Sequence, residues 1–186
     1  MAYTQADISQ LDFTRVAIVG CPGSGKTTFS NSLQTLLNRD VVHLDKLLWK
    51  PNWEMLDYDS RVKIHNELIE GERWIIDGMW RSHLVDRLKR ATLVFFLDYK
   101  RSLCLFRALK RRIKYSGKQR EDIAEGCFEK LDSEFLKYIW KFKKDTRPLI
   151  LQLTSENDNI QTVVLKNPKQ TKRFLSQLSE YLRNAE

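Results

Sequence analysis

The stretch VAIVGCPGSGKTTFS, residues 16–30, is an apolar run that breaks into glycines and reaches a Lys-Thr pair. It fits G-x-x-x-x-G-K-[ST] at every fixed position, and few short patterns restrict a fold as much. Gly20, Gly23 and Gly25 open backbone conformations closed to other residues, so successive N–H groups can turn inward around a polyphosphate. The expected cradle runs through Gly20, Pro22, Gly23, Ser24, Gly25, Lys26, Thr27 and Thr28. Lys26 can reach the outer phosphates, the Thr27 hydroxyl can bind Mg²⁺, and the following helix points its positive end at the anion. The flanks agree: 15–19 read as a buried strand, and 27–37 as a helix with Phe29, Leu33, Leu36 and Leu37 on one side.

Further strand-like runs at 41–44, 74–76, 93–97 and 160–165 alternate with helix-like stretches at 58–70, 82–89, 102–115, 133–144 and 168–183. That alternation is the βαβ pattern of a parallel sheet covered on both faces, a three-layer α/β/α domain. Asn167 is expected to cap the last helix, with Pro168 in its first turn. Arg147-Pro148 is expected to kink or end the helix before it. Phe128, Leu131, Phe135, Tyr138 and Phe142 recur at helical spacing and read as core. In open parallel sheets ligands lie beyond the carboxyl ends of the strands, and three of those ends carry aspartate: Asp45, Asp77 and Asp98. Asp77 is placed like the acid that holds Mg²⁺ beside such a loop, whereas Asp98 reads as a helix cap.

The 186 residues suggest one domain over 1–186, with a small helical lid around 112–130. The opening MAYTQADISQ lacks a basic-then-apolar signal and no apolar run approaches a membrane span, so a cytoplasmic location is expected and no membrane partner. Cys21, Cys104 and Cys127 are odd in number and far apart, which argues against disulfides and zinc. The net charge of +8 is concentrated: residues 100–120 hold nine Lys and Arg and no acid, so the rest of the chain sums to 8 − 9 = −1. A local basic segment suits a lid that closes on a polyanion, with a solvated helix face as the bland alternative.

GCPGSGKTT, DGMWR and FRALKRR together resemble the adenylate-kinase-like P-loop kinases over most of the chain. HLDKLLWKPNW, WIIDG and AEGCFEKLDSEFLKYIWKF are similar to the FlaR-related DNA topology modulation proteins. The first resemblance implies sheet order 2-3-1-4-5, ATP, or alternatively GTP, as phosphoryl donor with Mg²⁺, Arg81 facing the acceptor, and Arg107, Arg111 and Arg120 closing over the phosphates. Two departures matter: DKLLWKPNW stands where those kinases have a monophosphate-binding helix, and Tyr138 where they have an arginine. The first of these segments looks like nucleoside and riboside kinases, which implies Asp45 as the base for an attacking hydroxyl. Trp49 or Trp53 then stacks on an acceptor ring, or both are core. Lys26, Asp45, Arg81 and Arg111 are thus the candidate catalytic set of a kinase acting on a small hydroxyl-bearing metabolite, as monomer or small homo-oligomer. A nucleotide-dependent DNA-binding factor and a nucleotide switch with slow hydrolysis are the alternatives.

Overall fold

The computed structural model describes residues 7–120, 122–129 and 132–185. Among the described residues seven strands are present: β1 (Arg15–Gly20), β2 (Val42–His43), β3 (Trp49–Lys50), β4 (Glu54–Met55), β5 (Trp74–Asp77), β6 (Leu93–Leu97) and β7 (Gln161–Leu165). The helices are α1 (Lys26–Leu37), α2 (Leu44–Leu47), α3 (Tyr58–Glu70), α4 (Leu84–Arg90), α5 (Arg101–Lys114), α6 (Ser133–Asp145), α7 (Arg147–Ser155) and α8 (Pro168–Ala185).

Five strands form one parallel sheet in the order β2-β5-β1-β6-β7. The label order departs from 2-3-1-4-5 because an antiparallel hairpin, β3–β4, is inserted between the second and third strands of the sheet. With the hairpin set aside, the strands follow the expected sequence. Every residue of β6 is fully buried, which in a parallel sheet requires cover on both faces. One layer is α1 with α8: Phe29 of α1 and Phe174 of α8 meet Phe95 of β6 with ring centroids 4.9 Å and 5.0 Å away. Such tilted and edge-on pairs add about 0.5–1.5 kcal/mol each beyond their buried area, and here they pin the helix that follows the glycine loop to the sheet.

Helix starts follow local chemistry. Asp57 accepts from Ser60 N (2.8 Å) at α3, Asp132 from Phe135 N (2.8 Å) at α6, and Asn167 from Gln170 N (3.0 Å) at α8. As expected, α6 ends at Arg147-Pro148: its last residue is Asp145, and Pro148 sits in the first turn of the next helix, α7, where its missing N–H costs no helix bond.

Three sequence expectations are corrected. The segment between α5 and α6 is not a helical lid: its described residues form turns and one antiparallel bridge, Gln119 with Phe128. Phe128 is therefore off any helix and 49% exposed, while Phe135, Tyr138 and Phe142 pack against the core, and Leu131 lies outside the described residues. Asp98 is not a cap, since α5 has no side-chain cap at Lys100; its carboxylate instead holds Arg147 Nε at 2.9 Å. No helix among the described residues is long and apolar enough to cross a membrane.

Candidate active site

Strand register sets the site. Ile18 lies beside Asp77 on β5 and Asp77 beside His43 on β2, so Asp77 stands at the carboxyl end of the sheet next to the glycine loop. Gly23 takes φ +80°, and a Cβ there would lie 3.1 Å from the carbonyl carbon of Cys104 and closer still to its oxygen. The loop is thus pressed onto α5, an approach only glycine permits. Gly25, also left-handed, caps α1 and starts the helix at Lys26. Ser24 and Cys21 are buried, Gly20 lies against Leu97, Pro22 is half-buried and Thr28 faces solvent.

Lys26 Nζ folds onto the loop, 3.0 Å from Gly20 O and 3.4 Å from Cys21 O. Asp77 Oδ2 accepts from Thr27 Oγ1 (3.3 Å) and Ser30 Oγ (3.4 Å) and lies 3.1 Å from His43 Nδ1. Asp77 Oδ1 is buried without a hydrogen-bond partner among the described residues. A buried carboxylate oxygen left unpaired is costly, and a hard cation or its hydration shell is the partner that oxygen chemistry favours. Thr27 and Asp77 therefore fit Mg²⁺ by donor type.

Asp45 lies in the short helix α2 and is exposed. Desolvation pushes its carboxyl above the usual carboxylate range; Lys26 draws it back, Asp77 and Asp122 add to the rise, and Arg120 opposes them. Its main-chain oxygen accepts from Ala124 N at 3.2 Å, so the segment between α5 and α6 lies directly on it. Arg81 is exposed and donates to Asp145 O at 3.0 Å. It lines a recess of about 310 Å³ with Glu134, Lys137, Tyr138, Lys141 and Asp145. Burial pushes the Tyr138 hydroxyl up to about 12, with the thiol of Cys21 and the carboxyl of Asp45 adding to the rise and Arg81 opposing it.

The three arginines divide. Arg107 donates to Ser24 O at 3.2 Å and lies 5.5 Å from the Tyr99 ring, on the outer side of the loop. Arg111 and Arg120 converge instead on Glu129, whose Oε1 is 2.9 Å from Arg111 Nε and also meets Arg120 NH1. Trp49 and Trp53 make an edge-on pair at 5.4 Å and pack under Ile123, Ala124 and Cys127. Trp53 takes a left-handed φ of +62°, uncommon for a bulky residue, and is anchored by Nε1 donating to Phe128 O at 2.6 Å. The two tryptophans therefore support the connecting segment.

Sequence reasoning missed Ser30, His43, Asp122 and Glu129. For the last two a signal existed: the nine cations of residues 100–120 are followed at once by five acids within residues 121–132.

The model of an AAA domain family matches residues 16–137, from the first strand to the middle of α6. The chain belongs to this AAA domain family. No curated protein matches it in sequence. Among solved structures it is similar to a shikimate kinase from Acinetobacter baumannii in complex with shikimate, at 15% identity and TM-score 0.53, covering 95% of this chain and 96% of that one. It is also similar to a gluconokinase from Sinorhizobium meliloti 1021, at 15% identity and TM-score 0.50, covering 95% and 99%. At these identities the likeness is one of fold: an α/β P-loop kinase fold shared by this AAA domain protein over nearly its whole length.

Proposed function

We propose that this chain is an ATP-dependent phosphotransferase acting on a hydroxyl group of a small molecule, a nucleoside or other metabolite. The observation that carries the reading is the gathering of Lys26, Thr27, Asp77 and Asp45 at one end of the sheet: Thr27 donates to Asp77, Asp77 is in register with His43, and Asp45 follows His43 by two residues. The glycine-loop amides and Lys26 bind the β- and γ-phosphates. Thr27 and Asp77 would hold Mg²⁺, which would supply charge neutralisation to the phosphate oxygens. Asp45 takes the proton of the attacking hydroxyl, whose oxygen forms the new bond to the γ-phosphorus as the bond to the bridging oxygen of ADP breaks. Asp45 holds a proton more readily than an ordinary carboxylate, the direction that favours a general base. Arg111 and Arg120 are the groups that would offset charge developing on the transferred phosphoryl group.

The disposition of residues 100–120 favours a nucleotide over duplex DNA. Arg107, Arg111 and Arg120 are engaged by groups of the loop and its neighbouring segment, while Lys100, Lys110, Lys114 and Lys118 stay exposed. The three engaged arginines are poorly placed to track a phosphate backbone.

The test is a pair of variants assayed against one acceptor found by screening nucleosides and other hydroxyl compounds for accelerated ADP release. Asp45→Asn keeps nucleotide binding and lowers transfer by about 10²–10⁴-fold, the range for a positioned base. Near-native turnover in Asp45→Asn, with Arg81→Ala the more damaging change, would mean that the acceptor group is already a phosphate.

A further inference from the structure

Arg120 commits its entire polar edge to two carboxylates of its own segment. Nε donates to Asp122 Oδ1 at 2.9 Å, the adjacent NH2 meets Asp122 Oδ2, and NH1 meets Glu129 Oε1. Arg111 shares that same Glu129 oxygen. The group is buried, with the side chains of Arg120 and Glu129 only 9% and 3% exposed. Two guanidinium groups on one oxygen repel each other, and Asp122 and Glu129 together bring two negative charges against the two positive ones.

The network lies beside the glycine loop: Arg107, one helical turn before Arg111 on α5, donates to Ser24 O at 3.2 Å, and Ala124, two residues after Asp122, donates its N–H to Asp45 O at 3.2 Å. The Asp122 carboxylate therefore occupies the forked edge of a guanidinium assigned above to the terminal phosphate. Carboxylate and phosphate present the same paired oxygens to an arginine.

We propose that Asp122 is a built-in competitor of the nucleotide's terminal phosphate, and that Glu129 is the positioning residue keeping Arg111 and Arg120 together when Asp122 is displaced. The proposal rests on the nucleotide half of the reading above and not on the acceptor. An incoming phosphate takes over the Nε and NH2 edge of Arg120, while Glu129 retains NH1 and Arg111. ADP has no group for that place and leaves Asp122 seated.

Calorimetric titration of the full chain with ATP and with ADP, in Mg²⁺ buffer, tests this. If the freed, binding-competent state is about one part in ten, Asp122→Asn tightens ATP by about tenfold and ADP by less than about threefold. Glu129→Gln weakens ATP by about tenfold, because two arginines lose their shared partner, and Glu129→Asp recovers part of the loss. Opposite signs from neighbouring acids are not what a purely structural network produces. Unchanged or weaker ATP binding in Asp122→Asn overturns the proposal, as does equal tightening of ADP. Should Asp122→Asn fail to fold, Asp122→Ser, smaller and unable to pair both edges of the guanidinium, is read on the same scale. Absence of ATP binding in every variant removes this proposal together with the nucleotide reading; absence of phosphoryl transfer alone bears only on the acceptor.

Discussion

Gly23→Ala is expected to damage the protein in two separable ways. The first is conformational: at φ +80° an L side chain costs about 1–2 kcal/mol. The second is steric, because the new methyl carbon meets the main-chain carbonyl of Cys104, a fully buried residue inside α5 that cannot give way as a flexible side chain would. Overpacking of this kind costs about 1–3 kcal/mol. Gly117→Ala is the matched control, since Gly117 has φ +68° but open space where a Cβ would stand. Both variants gain the same small benefit from a stiffer unfolded chain, so their difference isolates the clash. For a chain of 186 residues, about 1–3 kcal/mol corresponds to a melting-temperature gap of about 2–12 °C. Thermal unfolding followed by circular dichroism reads the gap, and titration with ATP reads the second consequence: Gly23→Ala loses nucleotide binding because the loop must lift off α5, while Gly117→Ala keeps it. Equal melting temperatures, or intact ATP binding in Gly23→Ala, would refute the packing of loop on helix.

Lys26→Met stays folded, because Lys26 meets only loop carbonyls in this state, and loses about 1.5–3 kcal/mol of ATP affinity by calorimetry; unchanged affinity would remove Lys26 from the phosphate site. His65 is fully buried, and burial followed by the charge of Arg87 lowers its affinity for protons to a pKa of about 4. The unfolded chain then binds the extra proton, so stability falls as pH drops from about 6.5 to about 4, by about 2 kcal/mol at pH 5. His65→Leu flattens that part of the pH profile of melting, and a slope identical to wild type would contradict the assignment. Binding to duplex DNA at physiological salt stays no tighter than the non-specific range of about 10⁻⁴–10⁻⁶ M; sequence-selective submicromolar binding in a salt titration would return residues 100–120 to a DNA-facing role.

What was legible in the sequence was local. The apolar run 93–97 and the helix 58–70 appear at the expected residues because a buried strand and a capped, periodic helix announce themselves within a few positions. Asp77 at the strand end beside the loop also follows from sequence plus topology. The hairpin β3–β4 was not legible, since two-residue strands carry no periodicity and a left-handed Asn52-Trp53 turn has no signature of its own. Asp98 was misjudged as a cap because its partner, Arg147, lies 49 positions on and only the fold brings it near. Phe128 was misjudged because helical spacing was extended across a segment that does not form a helix. Arg107, Arg111 and Arg120 came together from the resemblance, but the carboxylates that hold the last two depend on how the segment after α5 folds back, which charge sign hints at and spacing does not determine.

Phosphoryl transfer itself can be watched by ³¹P NMR on ATP with Mg²⁺ and a panel of small hydroxyl compounds. A kinase built on Lys26, Thr27, Asp77 and Asp45 converts ATP to ADP only when its acceptor is present, with one new phosphate-ester resonance for each γ-phosphate lost and almost no free phosphate. That coupling is expected to fall by about 10²–10⁴-fold in Asp45→Asn. Steady release of inorganic phosphate, at a rate indifferent to every acceptor and to Asp45→Asn, would contradict the reading and leave a nucleotide-binding switch in its place.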